Sequence, residues 1–219
     1  LSLALSLALG AAKADALRTD ATLAYQMLKT ESEVRPVAKQ KFTLLATVID
    51  DAAAATGYVF TRPSTRKQAI EALDAIQTAM AKHNFIQPVM RDRWKDTIGD
   101  ALEPLPLARD ERLRILTPGE VNGFRARYID PEKPLYEVGA EIGSQLIISV
   151  GQRMGWDIRL VQTPDHTFVR WYYTPSESIN WDWTAGGPSR DEYYSTQGGD
   201  LYRDWPARRR YLRTLPAAY

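Results

Sequence analysis

The sequence predicts an α+β protein in which helices come first and an antiparallel sheet last. Two features carry that expectation. Apolar residues recur at helical spacing from Ala16 to Met154, whereas beyond Gly155 the period drops to two, through three short runs rich in aromatic and β-branched residues. Between these halves Ile142, Leu146, Val150 and Met154 recur every fourth residue, which predicts one central helix over about 135–154 packed on the sheet.

Taken in order, residues 1–14 read as part of a secretion signal. Leu1 to Leu9 is apolar apart from Ser2 and Ser6, and Ala12-Lys13-Ala14 has the small-x-small form that signal peptidase cuts. The stretch is too short to cross about 30 Å of hydrocarbon, so no membrane span is expected after cleavage, and the expected location is periplasmic or secreted. An apolar first helix of the domain is the alternative. A helical region is then expected over 15–104. Pro36 should divide its first part into two helices, and Gly57 should close the second. Tyr58 to Thr61 reads as extended. Ser64 is the expected cap of a third helix with a core face of Ile70, Leu73, Ile76, Gln77 and Met80, ending near Asn84. A short helix carrying Trp94, Ile98 and Leu102 should stop at Pro104 and Pro106, and Leu105 to Leu116 reads as a charged connecting loop.

The second region, 105–219, opens on Thr117-Pro118-Gly119-Glu120, which has the form of a capping box before a brief helix. Asp130 to Pro134 breaks the chain before the central helix, which Gly155 ends. Three strands follow, over 157–161, 167–172 and 178–183, with turns at Thr163-Pro164-Asp165 and Thr174-Pro175-Ser176. Asp165 is expected to cap the first turn.

Composition excludes more than it proposes. Over 219 residues, 28 Lys and Arg nearly balance 27 Asp and Glu, which argues against nucleic-acid binding through a broad basic face. The absence of cysteine excludes disulfides, thiolate metal sites and a cysteine nucleophile, and two histidines make a histidine-rich metal site unexpected. No metal and no cofactor are expected.

The chemistry is concentrated between Gly155 and Gly187. His166 begins one expected strand and Asp182 lies on the next, so a short antiparallel connection can set them opposite each other. A carboxylate beside an imidazole fixes its tautomer and supports its protonated form, two of the three parts of a nucleophile-base-orienter triad. A purely structural pair is the alternative for two such residues.

Three segments extend the pattern: Gln152-Arg153-Met154-Gly155-Trp156, Pro164-Asp165-His166-Thr167-Phe168-Val169-Arg170-Trp171, and Ile179-Asn180-Trp181-Asp182-Trp183-Thr184. In this order and spacing they resemble the core of bacterial transglutaminase-like proteins, a branch of the papain-like thiol fold. The close resemblance runs from Gly139 to Tyr194, and Asp191 to Tyr194 and Tyr211 to Leu215 are similar to the family's trailing segments. It implies a transglutaminase-like core over 105–219 with His166 as general base and Asp182 as orienting acid. It also implies a cysteine at the start of the central helix, in an Asp-Cys-Asp setting. The matching stretch is Gly139-Ala140-Glu141, so Ala140 occupies the thiol position. A thiol there would be acidified by unpaired helix N–H groups and a nearby imidazolium, which a methyl group cannot use. Ser144, one turn or about 6 Å further along, is a poor substitute, because a base must come within about 3 Å.

The signal segment and the resemblance together imply an exported, non-catalytic member that binds a cell-envelope peptide or a protein partner. A cysteine acyl-transfer enzyme (protease, amidase or transglutaminase) whose nucleophile was substituted at Ala140 is the second possibility, and a structural interaction module the third. Trp171 and Trp183 are candidates to line a groove for an extended ligand, while Trp181 and Phe168 read as packing residues. Arg170, four residues after His166 and so on the same strand face, is a candidate to steer a substrate carboxylate; its alternative is a salt bridge to Asp157 or Glu141. His83 reads as a structural cation at a helix end, Gln87 as a candidate oxyanion-hole amide, and Arg208-Arg209-Arg210 as a solvated face. The oligomeric state is left open.

Overall fold

The computed structural model describes residues 16–57, 63–87, 95–116, 125–163, 166–196 and 214. The signal segment, Tyr58 to Thr61, Trp94, Thr117 to Glu120, Asp165, Arg208 to Arg210 and all of Tyr211 to Leu215 but Thr214 lie outside the described residues. The chain mixes helices and strands, as the change of period predicts: α1 (Leu23–Val34), α2 (Lys39–Ala55), α3 (Arg66–Lys82), β1 (Phe85–Ile86), α4 (Ile98–Ala101), α5 (Arg109–Ile115), β2 (Tyr136–Glu137), α6 (Ala140–Met154), β3 (Ile158–Gln162), β4 (Thr167–Tyr172), β5 (Ser178–Asp182), β6 (Gly187–Ser189) and α7 (Asp191–Thr196).

Pro36 does separate α1 from α2, and Gly57 ends the latter at φ 71°, a left-handed conformation that costs glycine nothing. The first free N–H groups of α1 are met by α6: Leu23 N donates to Gln152 Oε1 at 2.7 Å and Ala24 N to Ser149 Oγ at 2.8 Å. Thr65, rather than Ser64, caps α3 by accepting from Gln68 N; Ser64 instead donates its N–H to the Gln68 side chain, so the two residues share the helix entry. At the other end of α3, Asn84 takes φ 63° and ties the 130–134 turn down, donating to the carbonyls of Asp130 and Pro134 and accepting from Asp130 N.

Two expectations are corrected. The segment 105–116 is not all loop, because α5 forms within it, with Ala108 N donating to Glu111 Oε2 at 2.8 Å at its start. The central helix begins at Ala140 rather than near Leu135. Tyr136 and Glu137 instead form β2, which pairs in parallel with β1. Gly155 closes α6 with φ 66°.

Strands β3, β4, β5 and β6 form an antiparallel meander in sequence order. The register sets Val169 opposite Trp181 and Arg170 opposite Asn180. Thr167, Val169, Trp171, Ile179 and Trp181 therefore share the face that joins α3 and α6 in the main core, and Phe168, Arg170, Asn180 and Asp182 share the other. That second face is covered as well: Tyr194 from α7 packs with Val161 and Phe168. The outer strand β6 is three residues long with Pro188 at its centre, and β3 is bridged in antiparallel sense by Thr214 at Val161. One continuous core joins Leu28 of α1, Leu45 and Ile49 of α2, Leu73 and Ile76 of α3, Ile142, Leu146 and Val150 of α6, and the tryptophans of the sheet. Among the described residues no helix is long and apolar enough to cross a membrane.

Candidate functional site

The hairpin between β3 and β4 sets the first of the site residues. Thr163 donates both its N–H and its hydroxyl to the His166 carbonyl, at 2.8 and 2.9 Å, so His166 is the first fixed residue of the returning strand. It lies on the same side as Phe168. By the register, Asp182 on β5 projects to that side too, and the pair meets: His166 Nε2 lies 2.8 Å from Asp182 Oδ2. An ionised carboxylate only accepts hydrogen bonds, so this contact assigns the proton to Nε2 and leaves Nδ1 as the second functional atom of the ring. Among the described residues no hydrogen bond engages Nδ1.

Asp182 is 2% exposed and both its oxygens are occupied. Oδ1 accepts from Thr184 N and Thr184 Oγ1, each at 2.8 Å, and from Ala185 N at 3.2 Å. Oδ2 accepts from His166 and from Tyr194 Oη, also at 2.8 Å. Burial alone would raise the Asp182 carboxyl; the hydrogen bond and charge of His166 outweigh it, with Thr184 and Tyr194 adding to them, and hold it down at about 2. Burial and the Asp182 charge push the Tyr194 phenol well above its ordinary range, so its proton is retained.

Ala140 is the first residue of α6, half-buried, and no side chain caps the helix there. Among the described residues the N–H groups of Ala140, Glu141 and Ile142 meet no acceptor, which leaves this helix end electropositive. Trp183 ties it to the end of β5. Its indole Nε1 donates to the Val138 carbonyl at 2.7 Å, and its ring lies directly over Gly143. The residue after Asp182 thus packs on the first turn of α6.

Three expectations about ligand contacts are corrected. Trp171 and Trp183 are each 1% exposed and offer no ring face to a ligand. Trp171 stacks on Trp156 at 4.4 Å between centroids, and Trp183 is consumed by α6. Arg170 is not free to steer a carboxylate, because Nη2 pairs with Asp191 Oδ1 at 2.5 Å and Nε donates to Asn180 Oδ1 at 2.8 Å. Its partner is Asp191 rather than Asp157 or Glu141; Asp157 is held by Arg159 at 2.6 Å. Gln87 is not an oxyanion donor either, since its amide donates to the carbonyls of Trp183 and Thr184.

The packing roles of Trp181 and Phe168 hold: both are buried, and Trp181 Nε1 donates to Gln77 Oε1 at 2.7 Å. His83 caps α3 and pairs with Asp51 at 2.8 Å. Ser144 is fully buried in α6, and among the described residues its Oγ has no partner. Among the described residues no three His, Asp or Glu side chains gather as a metal site. Sequence reasoning missed Tyr194 and Thr184 as partners of Asp182. The adjacent tyrosines at 193 and 194 carry no local signal of which ring turns inward; Tyr193 is 45% exposed and Tyr194 7%.

No protein-family model matches the chain, and no curated protein or solved structure matches it.

Proposed function

We propose that this is an exported protein with a transglutaminase-like core of the papain-like thiol fold, which keeps the base and orienting acid but has Ala140 in place of the cysteine. In this reading it binds a peptide or protein partner without cleaving it. The observation that carries the proposal is the 2.8 Å contact between His166 Nε2 and a carboxylate held by three further residues, Thr184, Ala185 and Tyr194. Such an arrangement leaves Nδ1 as the atom that would take a proton from a nucleophile. The uncapped start of α6, with Ala140 at its first position and Trp183 tying it to the residue after Asp182, supports the same reading.

Ala140→Cys tests it. A thiol acidified by the helix end and by an imidazolium reacts as thiolate at mildly acidic pH. Iodoacetamide should alkylate this variant rapidly near pH 6, and His166→Ala in the same background should remove the acceleration. Ordinary thiol reactivity, rising only above about pH 8 and indifferent to His166, would overturn the proposal.

The completeness of the Asp182 hydrogen bonding favours a second reading, a cysteine acyl-transfer enzyme with its nucleophile replaced at Ala140. An Ala140→Cys variant that turns over peptide amides supports this reading; one that is activated toward iodoacetamide but forms no acyl intermediate supports the binding protein.

A further inference from the structure

Asp182 Oδ2 serves two donors at once, and only one of them belongs to the pair described above. Tyr194 Oη lies 2.8 Å from the same oxygen and 2.8 Å from Ser189 Oγ. A phenol has one proton. Asp182 can only accept, so Tyr194 donates to the carboxylate and receives the Ser189 hydroxyl proton. The result is a directed chain, Ser189 to Tyr194 to Asp182, ending on the atom that holds His166. The rings reinforce it: Tyr194 stacks on Phe168 at 4.2 Å between centroids and 6° between planes, and lies beside the His166 ring at 5.7 Å and 24°.

We infer that Tyr194 is a positioning residue for His166, acting through Asp182 by sharing the lone pairs and charge of Oδ2. Its phenol sets how much of the carboxylate the imidazole receives, while its ring closes one side of the imidazole. This role belongs to the hydroxyl specifically. Packing alone would be served as well by phenylalanine, yet the buried hydroxyl is fixed on both sides by Ser189 and Asp182. Hydrogen-bonded chains of this kind polarise one another, so a change at Ser189 should be felt at Oδ2 in the same sense, more weakly. As a catalytic role this rests on the reading of His166 and Asp182 as base and acid; the coupling itself does not.

The test uses the unaltered chain and its Tyr194→Phe variant, which keeps both stacks and removes only the hydroxyl. With one donor gone, Oδ2 turns wholly to His166, and the Nε2–H···Oδ2 bond tightens. In ¹H–¹⁵N spectra the Nε2 proton of His166 should move downfield, while His83, paired with Asp51 elsewhere, should not move. Ser189→Ala should move it the same way by less, and serves as the readout if Tyr194→Phe does not fold. An unmoved His166 resonance, whether or not stability falls, would overturn the inference and leave Tyr194 as packing. The alkylation assay reports separately: a coupled resonance in a chain whose Ala140→Cys variant reacts like a free thiol keeps this inference and loses the proposed function.

Discussion

The indole of Trp183 lies against the bare α-carbon of Gly143. A Cβ built on that glycine would come within 2.6 Å of Trp183 Cδ1 and 2.7 Å of Cδ2, closer than carbon atoms approach without displacement. The indole cannot step aside, because it is fully packed and its Nε1 is bonded to the Val138 carbonyl. Gly143→Ala should therefore destabilise the fold by about 1–3 kcal/mol, despite alanine's better helix propensity. Urea denaturation followed by tryptophan fluorescence measures it; an unchanged or raised midpoint would show that α6 and β5 separate easily.

Gln77 reaches the sheet from α3, accepting from Trp181 Nε1 at 2.7 Å and donating to the Trp183 carbonyl at 2.8 Å. Gln87 also serves that carbonyl, so the indole N–H is the group left stranded when Gln77 is lost. Gln77→Leu, similar in volume, should cost about 1–3 kcal/mol for the buried unpaired donor, again read from the denaturation midpoint.

Asp182 makes folding pH-dependent. Its carboxyl lies near 2 in the fold against an ordinary 3.8, so the stabilisation is complete above about pH 4 and is lost as pH falls through 2. The difference corresponds to roughly 2 kcal/mol. Asp182→Asn should lower stability at pH 7 by at least that order and flatten the stability profile between pH 4 and 2. A variant profile parallel to that of the parent would locate the acid sensitivity elsewhere.

Asn84 separates backbone from side-chain effects. At φ 63° alanine is strained and glycine is not, while both lose the bonds to Asp130 and Pro134. Both variants should be less stable, with Asn84→Ala below Asn84→Gly by about 1 kcal/mol in thermal or urea unfolding. Equal losses would mean that the helix end relaxes out of the left-handed region.

Much of this architecture is legible in the residues themselves. Pro36, Gly57 and Gly155 are local signals, and their effect does not depend on the rest of the chain. The four-residue repeat from Ile142 to Val150 and the alternation in β3, β4 and β5 are equally direct. The start of α6 is not legible, because Leu135 and Val138 extend the apolar pattern while the backbone between them pairs with β1, a partner some fifty residues away. Charge density hides α5, where Ile115 is the buried residue among Arg109 to Arg114. The two misassigned tryptophans have a single cause. Alternation shows which residues share a sheet face but not what packs on it, and both rings lie in the main core, Trp171 stacked on Trp156 and Trp183 against Gly143 of α6. The His166–Asp182 pair was readable from spacing on adjacent strands; its outer partner Tyr194 arrives from a separate helix, whose orientation no local pattern encodes.

Pro188 has a consequence for how the molecule behaves in a crowded compartment. An antiparallel meander ends in a strand whose outward backbone groups invite pairing with a neighbouring molecule. Here that last strand is short and carries, at its midpoint, a residue without an N–H to offer. On the opposite rim, the backbone at Val161 is already engaged by Thr214. The sheet is thus closed to growth at its β6 end by covalent chemistry rather than by charge, a protection that changes of salt or acidity would leave in place.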